Sequence, residues 1–451
     1  MQFNRTAEND LNIWKSKKNR KPLIVRGARQ VGKTTLIKNF AQSYRQFIYL
    51  NLEKKDHLAI FEKYDEISDV VDSISLTFDL TAEYSETLIF IDEIQESPKA
   101  IRQLRYFYEE FPDLHVIAAG SLLEFSLGEV RNFPVGRVEY LYLSPLNFEE
   151  YLMALEHKTA LKALNEVPFK KTSQDVLLKL FNKYAIIGGM PEIVKTYVEE
   201  QNVRYLQSVY ESIWATYQDD VVKYAKNENE RKVIRHIMRS APNYLDERVK
   251  FQNFGNSNFK SREVSEAMKN LDAAKVIQLI YPTTDIELPI KTDYKKSPRL
   301  QFLDTGIVGY ALSIQADLLG VDDLSDSFKG ALIPHLITQE VLSLNSASYK
   351  KPHFWVREKA QASAEVDLVL PFQNKIIPIE IKSGSKGKLK SLHQFMEKAD
   401  HPYAIRMYGG QFSIEEHQTP SGKKYMLMNL PYFLGTKLQA YINYFVDSHA
   451  L

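Results

Sequence analysis

Short apolar runs alternate with amphipathic helical stretches over the first 155 residues. Residues 7–19 pattern as a short polar helix. Pro22-Leu23-Ile24-Val25, Phe47 to Leu52, Leu88 to Ile91 and Leu114 to Ala119 are runs of strand length, and Thr34 to Phe40 and Ala100 to Phe111 have helical spacing between them. Strands separated by helices predict a parallel, doubly wound sheet with its functional edge beyond the strand C-termini. Leu146 to Leu155 closes this region as a helix, and the polar, Lys-rich residues 156–174 read as a linker. Further on, Tyr205 to Tyr224 is helical. Ser261 to Leu271 is a capped helix feeding a strand at Ala274 to Ile280, the order of a winged helix-turn-helix. The last third holds strands at Ala364 to Leu370 and Lys375 to Lys382, flanked by helices at Leu336 to Leu342 and Leu389 to Ala399. The expected fold class is α/β in three domains: residues 1–155, a helical and winged-helix-like region at 156–295, and a second α/β domain at 296–451.

Composition adds bounds. The 451 residues are 44% hydrophobic and 25% charged, ordinary for a globular chain. With 58 basic and 57 acidic residues the net charge is +1, so any basic surface must be local. Such a region exists at Val221 to Lys275, where twelve Lys/Arg face seven Asp/Glu. DNA contact and protein docking are both open for a helix in that setting. The absence of cysteine excludes disulfides and thiolate chemistry. No stretch approaches the ~18 apolar residues of a membrane span, and Met1 to Arg5 has no leader pattern, so a soluble, cytoplasmic protein without membrane partners is expected.

The first candidate chemistry lies directly after the Pro22–Val25 strand. Gly27-Ala28-Arg29-Gln30-Val31-Gly32-Lys33-Thr34-Thr35 is a complete GxxxxGK[ST] loop. Its glycines let successive N–H groups turn inward to phosphates, Lys33 reaches the β/γ oxygens, and the Thr34 hydroxyl is a ligand for Mg²⁺. The apolar run at Leu88–Ile91 ends in Asp92-Glu93. Asp92 is expected to hold the Mg²⁺ shell, and Glu93 to polarise the attacking water, although an acidic pair can also cap the next helix. ATP and Mg²⁺ are the cofactors expected. Ser121, after the fourth strand, either senses the γ-phosphate or N-caps a helix with Glu124.

These motifs, with Ile91-Asp92-Glu93-Ile94-Gln95, Ala119-Gly120-Ser121 and Gly136-Arg137-Val138-Glu139-Tyr140-Leu141, resemble a family of prokaryotic AAA-type ATPases that carry a C-terminal domain of uncharacterised function. The resemblance spans nearly the whole chain and implies ATP binding most directly. It implies a nucleotide-proximal role for Arg137, in the same subunit or as an arginine finger in a homo-oligomer; an ion pair with Glu139 or Glu150 is the structural alternative. Tyr184 to Glu192 resembles the family's Gly-Gly-Met-Pro turn and reads as architecture.

The second constellation is in the last third. Glu380 and Lys382, two apart on one strand, share a face; if that strand pairs with the one carrying Asp367, Asp367 and Glu380 can share Mg²⁺ or Mn²⁺ while Lys382 orients water. The spacing resembles the PD-(D/E)xK nuclease superfamily, with Glu365-Val366-Asp367 replacing its Pro-Asp pair. By that resemblance Glu340 is a further metal ligand and Gln394 lies in the following helix. The expected function is an ATP-binding and ATP-hydrolysing protein that couples turnover to DNA binding or metal-dependent DNA cleavage. The alternative is a nucleotide-gated switch or scaffold whose rear domain binds partners without cleaving.

Overall fold

The computed structural model describes residues 3–120, 136–223, 225, 227–315, 330–344, 346–347, 349–359, 362–382 and 389–449. Two compact units are formed where three domains were expected: Met1–Pro145 with Ala273–Lys275 and Asn345–Tyr349, and Leu146–Asp272 with Val276–Leu344 and Lys350–Leu451. Most of the helical middle and of the last third fall within the second of these units. Among the described residues, no helix is long and apolar enough to cross a membrane.

In the front unit, helix α1 (Ala7–Ser16) precedes β1 (Leu23–Arg26), and α2 (Lys33–Phe40) follows the loop. Then come β2 (Gln46–Asn51), α3 (Lys55–Lys63), α4 (Ile67–Thr77), β3 (Thr87–Asp92), α5 (Pro98–Glu110), β4 (His115–Ala119) and β5 (Glu139–Tyr142). The sheet order is β2-β3-β4-β1-β5 with every pairing parallel. β3 is buried along its whole length, which explains its unbroken apolar run. Ile24, Ile89, Ile91, Val116 and Ala118 meet Val70, Val71, Ile101 and Leu104 in one core. The edge strand β5 is not left open, because the Tyr142 N–H donates to Ser346 O at 2.6 Å.

The rear unit begins with the helix Phe148–Ala154, closed by a reciprocal capping box between Asn147 and Glu150. The expected linker is in fact structured: Lys158–Asn165 is a helix that buries Ala160 and Leu164. Its charged outer face hid that spacing. Gly188 has φ +75°, and a Cβ on Gly189 would lie 1.9 Å from Leu146 O, so the Gly-Gly turn is required by close backbone approach. Helices Leu206–Lys223, Glu228–Ser240 and Ser261–Ala273 lead into β6 (Ile277–Ile280), which pairs antiparallel with β8 (Arg299–Phe302); between them, β7 (Pro282–Thr283) joins the larger sheet.

After the helix Leu332–Ser343 come β9 (His353–Lys359), β10 (Ala362–Phe372) and β11 (Lys375–Ile381), an antiparallel meander. The helix Lys390–Met396 then crosses to β12 (Tyr403–Tyr408), parallel to β11, and β13 (Ser413–Gln418) and β14 (Lys424–Pro431) complete a seven-stranded sheet. Val366, Val369 and Ile376 on this sheet pack against Leu392, Phe395 and Met396 of the crossing helix.

Candidate functional site

The loop Gly27–Thr35 runs from the C-terminal end of β1 into the N-terminus of α2, as its sequence predicts. Gly27 has φ +147°, and a Cβ there would lie 2.2 Å from Leu143 O, so this position accepts glycine alone. Gly32, at φ 93°, is the N-cap of α2. The Lys33 ammonium is drawn into the loop, donating to Gly27 O at 3.0 Å and Ala28 O at 2.8 Å. Arg5 braces the loop from outside by donating to Val31 O at 3.0 Å and Ser144 O at 2.6 Å, a support that nothing in the local sequence announces.

Asp92 ends β3, and the Thr34 hydroxyl donates to its Oδ2 at 2.9 Å. The Tyr49 hydroxyl, from β2, donates to the same oxygen at 3.1 Å. Tyr49 was not among the expected site residues; its signal was no more than a position in an apolar strand. Burial raises its phenol to about 12, with Asp92 adding to the effect, so it stays a donor. Glu93 takes the left-handed conformation at φ 53°, its N–H donating to Asp92 Oδ1 at 3.1 Å. Gln95 Nε2 donates to Glu93 Oε2 at 2.6 Å. A glutamate held at positive φ costs about 1–2 kcal/mol and marks a position chosen for where it points. Thr34 and Asp92 thus present a hydroxyl and a carboxylate to one point, a donor set that fits Mg²⁺.

Because β4 pairs with both β3 and β1, its C-terminal end lies between the loop and Asp92-Glu93. Ser121, expected just beyond it, lies outside the described residues. Arg137 precedes β5, whose Glu139 pairs with Leu23 at the start of β1, so it lies at the sheet edge opposite the loop. Its Nε donates to Glu109 Oε1 at 2.8 Å, and Glu109 also accepts from Arg105 at 2.9 Å. This ion pair is with neither of the glutamates expected from the sequence, Glu139 or Glu150.

In the rear unit, β10 and β11 pair with Leu368 opposite Ile379, bringing Asp367 beside Glu380. The β9–β10 register shifts between Val366 and Val369, a bulge that re-aims the strand at Asp367. Asp367 Oδ2 accepts from the Ile381 N–H at 2.8 Å, and Lys382 Nζ donates to Glu380 Oε1 at 2.5 Å. Glu380 Oε2 is buried with no hydrogen-bond partner. Burial, then the Asp367 charge, push Glu380 above the usual carboxylate range against the pull of Lys382. An orphaned carboxylate oxygen beside a second carboxylate fits a divalent cation.

The group that sequence reasoning missed is Arg299. From β8 its buried guanidinium donates to Glu365 Oε1 and reaches Asp367 Oδ1 at 3.4 Å and Asp246 Oδ1 at 3.6 Å. Asp246 is raised to about 7 by burial, which Arg299 opposes. Asp246 also accepts from Gln301, whose Oε1 lies 2.5 Å from His335 Nδ1. No pattern in Ser297-Pro298-Arg299 separates this cation from a surface one.

Glu340 does not belong to this site. It is wholly buried, accepting from the Phe148 N–H at 3.1–3.2 Å and from the Tyr184 hydroxyl at 2.8 Å. There it compensates the first turn of the helix Phe148–Ala154. Burial raises it to about 8, against the hydrogen bonds from Tyr184 and Phe148. The expected ligand set Glu340, Asp367 and Glu380 is therefore not assembled. Among the described residues, no group of three or more His, Cys, Asp or Glu is placed to hold a metal. Gln394 accepts from Arg357 Nη1 at 3.2 Å.

Family models match three separate stretches of the chain. Residues 19–152 match an AAA domain family. Residues 178–318 and 329–432 match two domains of unknown function, DUF8612 and DUF4143. No curated protein matches the sequence. Solved structures similar to the chain include a Walker-type ATPase of Pyrococcus abyssi, at 14% identity and a TM-score of 0.45, covering 69% of this chain and 96% of that one. Another is the Aeropyrum pernix Orc1 protein in complex with DNA, at 15% identity and a TM-score of 0.32, covering 69% and 93%. The Thermotoga maritima RuvB Holliday junction branch migration motor is a third, at 14% identity and a TM-score of 0.26, covering 65% and 93%. The stretch that matches the AAA family lies mostly in the front unit and contains the loop Gly27–Thr35 and Asp92-Glu93.

Proposed function

We propose that the protein binds and hydrolyses ATP at Gly27–Thr35 and uses the cycle to control a DNA-directed rear unit. The observation that carries the first part is the meeting of the Thr34 and Tyr49 hydroxyls on one Asp92 oxygen, with Glu93 set beside it at a left-handed residue. Mg²⁺ held by Thr34 and Asp92 would neutralise charge on the β- and γ-phosphates. Lys33 and the loop N–H groups bind the phosphates, and Glu93 orients a water and accepts its proton. The water oxygen bonds to the γ-phosphorus as the bond to the β-bridging oxygen breaks, releasing ADP and phosphate.

For the rear unit we propose phosphodiester hydrolysis at Asp367, Glu380 and Lys382, supported by a helix, a three-stranded meander, a crossing helix and a parallel strand in that order. Mg²⁺ or Mn²⁺ would sit on Asp367 and Glu380. Lys382 orients the water that bonds to phosphorus as one phosphorus–sugar oxygen bond breaks, a proton from the water ending on the departing sugar oxygen. A second reading, partner binding without cleavage, is favoured by Arg299, which already supplies the acidic residues with a cation. Neutral overall charge leaves the partner open to DNA or protein.

The test is ATP turnover and cleavage of labelled single- and double-stranded DNA with Mg²⁺ or Mn²⁺. Lys33→Ala abolishes nucleotide binding, and Glu93→Gln keeps binding while turnover falls at least about a hundredfold. Unchanged turnover in Glu93→Gln removes it as the base. Cleavage that survives Glu380→Ala eliminates the nuclease reading.

A further inference from the structure

We propose that the solvent face of the helix Glu228–Ser240 is a docking surface for the phosphate backbone of duplex DNA. The proposal rests on the DNA-directed reading above and names the surface that performs it. The helix buries Val233, Ile234, Ile237 and Met238 and exposes Arg231, Lys232, Arg235 and Arg239. Arg231, Arg235 and Arg239 recur every four residues, so they form one stripe about 12 Å long at 1.5 Å per residue. Over about 12 Å of its axis duplex DNA carries roughly seven phosphate charges, one per ~1.7 Å, so the stripe faces a dense row of anions. Arg231 has an ion pair with Glu228 at 3.4 Å. Among the described residues, Lys232, Arg235 and Arg239 have none.

The contrast with the next helix is informative. Ser261–Ala273 occupies the place that a helix-turn-helix reading would put in the major groove. It carries two basic residues against three acidic ones, and Arg262 is tied to Glu266 at 2.9 Å. That helix offers no basic face, whereas Glu228–Ser240 does.

The chemistry of the stripe also selects its partner. None of the large exposed apolar residues of the protein lies on this helix. A membrane-surface helix needs an apolar face to insert, and the arginines of a protein hot spot sit beside aromatic side chains in a desolvated centre, which this helix does not offer. A row of guanidinium groups without either fits regularly spaced phosphates.

Fluorescence anisotropy of the full-length protein with a labelled mixed-sequence duplex, titrated at several salt concentrations, tests this. The wild type is expected to bind, and Arg235→Glu with Arg239→Glu to weaken binding at least tenfold while lowering the slope of log K against log salt by about 1.8, from 0.9 per phosphate contact. Arg235→Lys with Arg239→Lys should retain most of the affinity, and Arg235→Gln with Arg239→Gln replaces the reversal variant if the latter does not fold. Wild-type binding with unchanged affinity and slope in the variants overturns the surface and leaves the DNA-directed reading standing. No duplex binding by the wild type overturns both. Tighter stripe-dependent binding of polyglutamate or phosphatidylserine vesicles than of DNA overturns the choice of partner.

Discussion

Replacing Arg299 by methionine removes the cation shared by Asp246, Glu365 and Asp367 and leaves a side chain of similar reach, with Arg248 still 3.8 Å from Glu365. Asp367 and Asp246 lie 3.4 and 3.6 Å from the guanidinium, and Glu365 is in direct contact. At an effective dielectric near 20, each such pair is worth about 5 kcal/mol before desolvation. Taking the guanidinium out of water offsets much of that sum, and breaking a buried pair by deleting one partner costs about 3–5 kcal/mol net. That is a large share of the ~5–15 kcal/mol that holds a domain together. The loss must also depend on pH. Asp246 is raised to about 7 even with Arg299 opposing the shift. Its folded form therefore binds protons more tightly than its unfolded form, and stability falls as pH rises through that value. Without Arg299 the Asp246 carboxyl is pushed higher still, so the variant is hurt most at pH 8 and least near pH 5. Urea unfolding by circular dichroism at both pH values, with ATP present to stabilise the front unit selectively, isolates the rear transition. A loss below about 1 kcal/mol at pH 8, or an equal loss at both pH values, refutes the reasoning.

Two further substitutions probe the rear unit's supports. Glu340→Gln keeps the shape that accepts from Phe148 and Tyr184 but cannot ionise. Because Glu340 is raised to about 8, it contributes stability that is present below its unfolded value of about 4.5 and lost as pH rises through 8; the variant's melting temperature should vary less between pH 5 and 8.5 than the wild type's. Gly189→Ala drives a methyl into Leu146 O and should cost more than about 3 kcal/mol, whereas Gly309→Ala meets only the flexible Gln315 side chain at 3.3 Å and should change stability by less than about 1 kcal/mol. Equal thermal shifts in the two glycine variants would contradict the close approach at Leu146.

What was legible in the sequence is what is local. The loop, the β3 carboxylates and the Glu-x-Lys strand place their residues through neighbours one to nine positions away, so spacing alone locates them. Asp367 beside Glu380 needed one further step, an antiparallel pairing across a tight turn. Arg299 meets Glu365 and Asp367 from 66 and 68 positions away. Tyr49 reaches Asp92 from 43. Such meetings are set by which strand lies next to which, and a strand's pattern does not announce its neighbour. Glu340 shows the converse error: its place in the order of elements suggested a metal ligand, but its carboxylate turns to the first turn of another helix, 192 positions away.

The closure of β5 by Ser346 has a consequence for how the protein is made. The Ser346 hydroxyl also donates to Asp10 at 2.6 Å, and Lys275 lies over the Tyr349 ring at 3.8 Å, with Tyr349 5.4 Å from Tyr142. The ribosome finishes the last strand of the front sheet some two hundred residues before it supplies the segment that covers that strand's open edge. During that interval, at about 5–20 residues per second, the nascent sheet exposes unpaired N–H and C=O groups for roughly ten to forty seconds. A gene fragment ending at the AAA match would keep that edge open permanently, so its product should self-associate through β5 where the intact chain does not.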